Sequence, residues 1–458
     1  MSSTGSPPTG AREGSLEAPT RHPLEWRQPE FYDQAALEKE LERVFDICHG
    51  CRRCFSLCNA FPTLFDAVDE APGGEVAGVE RKVYWEVVDH CYLCDMCFMT
   101  KCPYVPPHPW NVDFPHLMLR AKAVRARGGA LKLSERVLAA TDTVGKLAGI
   151  PVVAELVNAV NRSAAGRVLL EKTLGVDRSA PIPEYHGRSA RARLAGLGTT
   201  RASGRANALA ARHTADTTGR VALFTTCYGN RNAPWLDEDL VAVFRHNGIE
   251  VRLLPSERCC GMPRLELGDL EGVARLKEHN IRVLAVAVAA GFDIVAPIPS
   301  CVLMFKQELP LMYPDDARVR EVAGRMFDPF EYLMLRHAQG LLRTDFKRPL
   351  GKVSYHVPCH LRVQNLGLKT REALELVPGT TVEPIERCSG HNGTYGVKHR
   401  FRSAAVKIGR PVMQRVESAA ADHYSSDCPM AGRQIESGLT EPRAPEHPLT
   451  LLRMAYGL

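Results

Sequence analysis

A chain of 458 residues with 58 Lys and Arg against 52 Asp and Glu carries a formal charge of +6, spread along its length. That dispersion speaks against nucleic acid as a partner, and the length leaves room for two or three domains. Fifteen cysteines are too sparse and too odd in number for a disulfide scaffold, and no apolar signal core or run of 18 apolar residues appears, so a cytoplasmic, metal-binding protein is expected.

The first 30 residues, rich in Pro, Gly, Ser and Thr, read as a disordered tail. AALEKELERVF then spaces apolar residues as a helix that leads into Cys48 and opens a domain expected over 31–113. Two cysteine runs lie inside it. CHGCRRCFSLC sets Cys48, Cys51, Cys54 and Cys58 at C-x2-C-x2-C-x3-C, and CYLCDMCFMTKCP sets Cys91, Cys94, Cys97 and Cys102 at C-x2-C-x2-C-x4-C. Three thiolates at steps of three wrap one side of a cubane, and the fourth reaches the neighbouring cluster. On that logic Cys48, Cys51, Cys54 and Cys102 hold one [4Fe–4S] cluster, and Cys91, Cys94, Cys97 and Cys58 hold the other. Two zinc sites fit less well, because zinc favours paired C-x2-C units supplying four tetrahedral ligands. The runs depart from the ferredoxin pattern at Asn59, where Pro is usual, and by one extra residue before Cys102.

Residues 114–187 read as a helical segment in which HLMLRAKAVRA, LKLSERVLAATDTVGKLAG and VVAELVNAVN have helical periodicity. Their basic residues Arg120, Lys122, Arg125, Arg127 and Lys132 either face an anionic membrane surface or belong to ordinary packing helices. Residues 188–219, rich in Arg, Ala, Gly and Thr, read as a linker. From there the chain repeats itself. GRVALFTTCYGN matches GKVSYHVPCHLR, LLPSERCCGMP matches VEPIERCSGHN, and GFDIVAPIPSCVLMFK matches AADHYSSDCPMAGRQ, at offsets of 132, 129 and 127 residues. Each copy reads strand, helix, strand, Cys site, helix, strand, Cys site, which implies parallel α/β sheets with the cysteines beyond the strands' carboxyl ends. The copies are expected over 220–345 and 346–440, with a C-terminal tail over 441–458.

The paired cluster motifs, YHVPCHLR and CSGHNGTYGVK together resemble the iron–sulfur subunits of anaerobic glycerol-3-phosphate dehydrogenases. These belong to a heterodisulfide reductase-related family whose members also serve glycolate- and lactate-oxidising complexes. The resemblance covers roughly residues 40–440 and implies an α+β multidomain fold: a helical ferredoxin-like domain with two [4Fe–4S] clusters, followed by two α/β cysteine-rich (CCG) domains. The family pattern of Cys, Cys-Cys-Gly and Cys-x2-Cys, which in some members binds noncubane clusters acting on disulfides, falls on Cys227, Cys259, Cys260 and Cys301 in copy one. There Met304 stands at the last position. In copy two it falls on Cys359, Cys388 and Cys428, with Ser389 and Ala431 in place of cysteines. Copy one thus keeps four thiols for a further, noncubane or altered, cluster. Copy two keeps three and needs a fourth ligand from His360, His391, Ser389 or a small molecule.

No G-x-G-x-x-G after a strand, no P-loop, no nucleophile elbow and no H-E-x-x-H motif occurs, so no catalytic residue is assigned and the organic chemistry is expected on another subunit. The expected function is electron transfer from a flavoprotein dehydrogenase subunit towards quinone, at the inner face of the cell membrane, or towards another acceptor. A heterodisulfide reductase-like thiol/disulfide catalyst at Cys259/Cys260, an electron donor to a peroxide-scavenging di-iron reductase, and a sensor of iron or oxidants are the alternatives.

Overall fold

The computed structural model describes residues 19–200 and 214–458. Its backbone divides into two compact units, residues 1–125 and 126–458, each considered by itself. Among the described residues the first unit is built from helices. Asp33 caps helix Gln34–Cys51 by accepting from the Ala36 N–H at 2.6 Å, and the helix buries Leu37, Leu41, Val44 and Phe45 along one stripe. Against it lie helices Ala60–Asp69 and Arg81–His90, with the Phe45 ring 5.0 Å from Tyr84. Helix Phe114–Arg127 begins in this core, its Phe114 ring 4.8 Å from Phe61. Two expected boundaries therefore move. Residues 114–125 belong to the cysteine-bearing unit, and residues 19–30 are not tail: Trp26 is buried, and Arg21 bonds Asp95 and Asp113. Residues 1–18 lie outside the described residues.

The second unit opens with short helices at Leu133–Ala139, Thr141–Ala148, Pro151–Arg162 and Ala164–Leu174. The duplicated region follows as two parallel sheets. Strands β1 (Arg220–Leu223), β2 (Glu250–Leu253), β3 (Asp293–Val295) and β4 (Met326–Phe327) run in the order β2-β1-β3-β4. Strands β5 (Gly351–His356), β6 (Thr380–Ile385) and β7 (His423–Ser426) run in the order β6-β5-β7. The first three strands of each copy share one topology, as the repeat predicts, and β4 is an addition to copy one that the periodicity did not reveal. Helices Pro234–His246 and Leu270–Ala289 end before Gly248 and Gly291, whose φ of 71° and 82° place them in the left-handed region.

Two stretches read as connectors are structured. Residues 190–193 form a helical turn, and Arg191 of that turn holds Glu257 of copy one at 2.5 Å, so 188–200 is part of the domain; residues 201–213 lie outside the described residues. The C-terminal stretch carries helix Pro448–Tyr456, which buries Leu449, Leu451, Leu452 and Ala455. It packs on helix Pro234–His246 of copy one, where Arg453 pairs with Asp239 at 2.7 Å. An apolar stripe hidden behind a Pro-rich lead-in explains why the tail reading fails there.

Candidate metal centres

In the first unit, helix Gln34–Cys51 places Cys48 and Cys51 one turn apart on its last turn. Arg52, at φ 55°, then turns the chain left-handed, and its N–H returns to the Cys48 carbonyl. The loop beyond brings in Cys54. The second run leaves helix Arg81–His90 at Cys91 and turns through Leu93 (φ 51°) and Asp95 (φ 58°), neither of them glycine. Strained positions of this kind persist only where surrounding contacts fix them. Here the Leu93 N–H bonds the Cys91 sulfur, and Arg21 grips Asp95 at 2.6 Å and Asp113 at 2.8 Å. Burial pushes the Asp113 carboxyl up, but His116 and Arg21 outweigh it and hold it below its usual range.

The cysteines of both runs are neighbours in this unit: Cys48 lies near Cys51, Cys54 and Cys102, and Cys97 near Cys54, Cys58, Cys91 and Cys94. Burial raises Cys48 well above the usual thiol range, and neighbouring Cys102, Cys54 and Cys51 raise it further. Cys54 is pushed up to about 12 by burial, then by Cys102 and Cys51. Burial also raises Cys97, whose neighbours are Cys54, Cys91, Cys94 and Cys58. Cys91 rises to about 12 through burial, opposed by the buried Lys122 ammonium, which donates to the Cys91 carbonyl. Buried thiols whose ionisation their neighbours oppose are donors that a polycationic iron core would stabilise as thiolates. That donor chemistry fits iron–sulfur ligation.

For three of the basic residues on helix Phe114–Arg127, the packing alternative holds. Lys122 is buried, Arg120 donates to the Phe31 carbonyl at 2.8 Å, and Arg125 pairs with Asp89. These three side chains are engaged within their own unit rather than presented to a membrane.

In copy one, Cys227 follows β1, Cys259 and Cys260 follow β2, and Cys301 follows β3, so the three strand ends gather the four thiols. They form a row. Hydrogen bonds from the Cys227 and Cys260 thiols hold Cys259 below the usual thiol range, the same contacts and burial raise Cys227 and Cys260, and Cys301 adjoins Cys260. Two residues that the sequence reading missed complete the surroundings. Asp142 accepts the Cys259 N–H at 2.6 Å, and the Thr141 hydroxyl faces Cys227 and Cys259. Both lie far from the cysteines along the chain, where spacing carries no signal. Gly261, at φ 107°, makes the turn after the pair, and the fully buried Met304 brings its methyl within 3.5 Å of that glycine's open side. An apolar thioether thus fills the position of the family's fifth cysteine.

In copy two, Cys359 and Cys388 adjoin, and a hydrogen bond from Cys359 lowers Cys388 to about 7. Cys428, after β7, is raised to about 11 by burial, with Asp427 and Cys301 of copy one among its neighbours. Ala431 is buried and offers no donor. The cysteine edges of the copies meet, with Ser300 Oγ 2.7 Å from His360 Nδ1 and Gln364 donating to the Pro299 carbonyl at 3.2 Å. Burial, and His360 beside it, push the His391 imidazole down to about 4, so it is neutral.

Among the described residues, the ligand atoms that gather within 4.8 Å, as one small ion requires, are those of Glu171, Asp177 and His399, and no cysteine belongs to that set. Arg178 already pairs with Glu171 and His399 with Asp177, so this trio is an ion-pair clasp between two loops. A single zinc at about 2.3 Å from each thiolate would draw its sulfurs closer together than that limit.

These features define an iron–sulfur electron-transfer protein with duplicated cysteine-rich domains. Residues 221–306 and 353–436 each match the cysteine-rich domain family designated CCG. The chain is 30% identical over 355 residues to a subunit of the anaerobic glycerol-3-phosphate dehydrogenase of Escherichia coli K12, spanning 76% of this chain and 83% of that one. It belongs to the family of that dehydrogenase subunit. It is also 27% identical over 246 residues to a subunit of the fumarate reductase (CoM/CoB) of Methanothermobacter marburgensis, covering 52% of this chain and 46% of the relative. An uncharacterized iron–sulfur protein of Methanococcus maripaludis is 26% identical over 226 residues, 48% of this chain and 42% of its own.

Proposed function

We propose that the chain is the electron-transfer subunit of a dehydrogenase complex, taking electrons from a flavoprotein subunit that oxidises glycerol 3-phosphate or a 2-hydroxy acid. The observation that supports the reading is the gathering of both cysteine runs as buried neighbours in one unit, which we assign as Cys48/Cys51/Cys54/Cys102 and Cys91/Cys94/Cys97/Cys58. A [4Fe–4S] cluster bound at each exchanges one electron at a time. The chain's own residues shape that exchange: Lys122 places a buried positive charge beside Cys91, and Arg21 fixes the Cys91–Cys97 loop through Asp95. In copy one, Asp142 and Thr141 hold the Cys259 end of the thiol row.

The acceptor we favour is a quinone met at an anionic membrane surface. Leu147 and Ile150, with Val152, Leu156 and Val160 four residues apart on helix Pro151–Arg162, form an exposed apolar stripe, Val152 being 78% and Leu156 64% exposed. The exposed charged residues between 132 and 172 are Lys132, Arg136, Lys146, Arg162 and Lys172 against Glu155 alone. An apolar face rimmed by cations suits the interface of an anionic bilayer. No single helix among the described residues is long and apolar enough to cross a membrane, and the pair Thr141–Ala148 and Pro151–Arg162 is bent by 105°. Helix Thr141–Ala148 meets the Cys227/Cys259 row at its first residues and the stripe at Leu147, a span of about 9 Å.

Anaerobic isolation with the partner tests the reading. Adding glycerol 3-phosphate or a 2-hydroxy acid to the complex should bleach the cluster absorbance, and adding it to this protein alone should not. Reduction of a disulfide by the isolated protein with a viologen donor, abolished by Cys259→Ser, would instead establish a thiol/disulfide catalyst.

A further inference from the structure

Copy two is short of donors, and one histidine there stands out. Buried imidazole nitrogens in folded proteins have hydrogen-bond partners, and those around this site do. His356 uses Nδ1 on Ser426 Oγ at 3.0 Å and Nε2 on the Arg387 carbonyl at 3.1 Å. His447 uses Nε2 on the Asp427 carbonyl and Nδ1 on the Leu449 N–H. His360 places Nδ1 on Ser300 Oγ. His391 Nε2, by contrast, is shut off from solvent and has no partner among the described residues.

The loop that carries His391 is wrapped around a cysteine sulfur. Cys388 Sγ accepts the Gly390 N–H at 3.4 Å and lies 3.6 Å from Asn392 Oδ1, so the residues on either side of His391 both touch it. Both neighbours are left-handed, Gly390 at φ 75° and Asn392 at φ 42°. Gly390 admits no side chain, since a Cβ there would meet the Ala405 carbonyl oxygen at 2.0 Å. The Ser389 hydroxyl, which stands at the missing cysteine, accepts the His391 N–H at 3.3 Å. Strain of this kind held by close packing marks functional loops.

We propose that His391 Nε2 is an iron ligand, completing the donor set of Cys359, Cys388 and Cys428 in place of the cysteine lost at Ser389. The assignment rests on the reading that copy two holds an iron–sulfur centre. Imidazole is a competent ligand to such a centre, and replacing thiolate by imidazole raises the reduction potential. The centre in copy two is therefore the more oxidising form of its duplicated counterpart, and Ala431 and Ser389 need supply nothing.

The test uses the full-length protein, reconstituted anaerobically with iron and sulfide and reduced. Pulsed EPR of the wild type should show a nitrogen coupling that changes isotope pattern when histidine is labelled with 15N. His391→Cys should keep the iron, lose the coupling and lower the potential of that signal, whereas His360→Ala should retain the coupling. Cys388→Ser serves as the control for the centre itself and should lose iron and coupling together. A coupling that persists in His391→Cys, or a wild-type signal lost in Cys388→Ser that never showed nitrogen, overturns the ligand while leaving the centre. Iron content and spectra unchanged by Cys388→Ser overturn the centre and the ligand with it.

Discussion

Lys122 donates to the Cys91 carbonyl from a buried position, and Tyr92 covers its ammonium at 4.5 Å. A fixed positive charge beside a cluster stabilises the reduced, more negative state. Lys122→Gln should therefore lower the potential of the Cys91/Cys94/Cys97/Cys58 centre, by on the order of 50 mV for each ~1 kcal/mol of interaction lost, read by EPR-monitored titration. Arg21 is a second such residue. Removing it leaves Asp95 and Asp113 buried without their cation, and Arg21→Met should cost about 3–5 kcal/mol by the usual penalty for breaking a buried pair, read by denaturant unfolding. Asp237 is the reverse case. Both its carboxyl oxygens are buried without a hydrogen bond, and burial, with Glu257 and Glu238 nearby, raises its pKa well above the carboxylate range. A raised carboxyl favours folding below the unfolded pKa near 4 and loses that contribution as pH rises. Asp237→Asn should raise Tm at pH 8 and much less at pH 4.

At the level of elements, the helices Thr141–Ala148 and Pro151–Arg162 carry the membrane proposal. Val152→Asp with Leu156→Asp should weaken binding to vesicles containing anionic lipid at least tenfold, with iron content unchanged, and added salt should weaken wild-type binding too. Sedimentation with vesicles measures this, and binding that survives both charges would place the contact elsewhere. The same elements show where sequence reasoning succeeds and fails. Strands β1, β2, β3, β5, β6 and β7 were legible because two copies of one pattern reinforce each other at nearly constant offsets. The cysteine runs were legible as neighbours because their spacing suits a loop around a cluster. Arg21, Lys122, Thr141 and Asp142 were not, because each reaches its cysteine through tertiary packing from a distant part of the chain. Left-handed Leu93 and Asp95 carry no glycine to announce them. His391 was legible only as one of several candidates, and what sets it apart, a nitrogen left unbonded inside the fold, exists only in three dimensions.

At the level of the whole molecule, acid and iron set the conditions under which the protein holds together. Burial pushes His356 down to about 4 and His447 to about 3, so both are neutral in the folded state. A depressed histidine contributes its stability above the unfolded pKa near 6.5 and loses it as pH falls towards the folded value. Stability should therefore drop between pH 6.5 and 4, by at most about 1.4 kcal/mol per pH unit for each of these two residues, and His447→Gln should flatten that slope. The central claim is that the two runs of cysteines exchange their last ligands, Cys102 serving the first set and Cys58 the second. Its most direct test is an EPR-monitored redox titration of the anaerobic protein beside Cys102→Ser and Cys58→Ser. The account predicts two reducible four-iron signals from this region, with Cys102→Ser altering the one that Cys51→Ser also alters, and Cys58→Ser the one that Cys94→Ser alters. The opposite pairing, or zinc with no reducible iron at these cysteines, would contradict it.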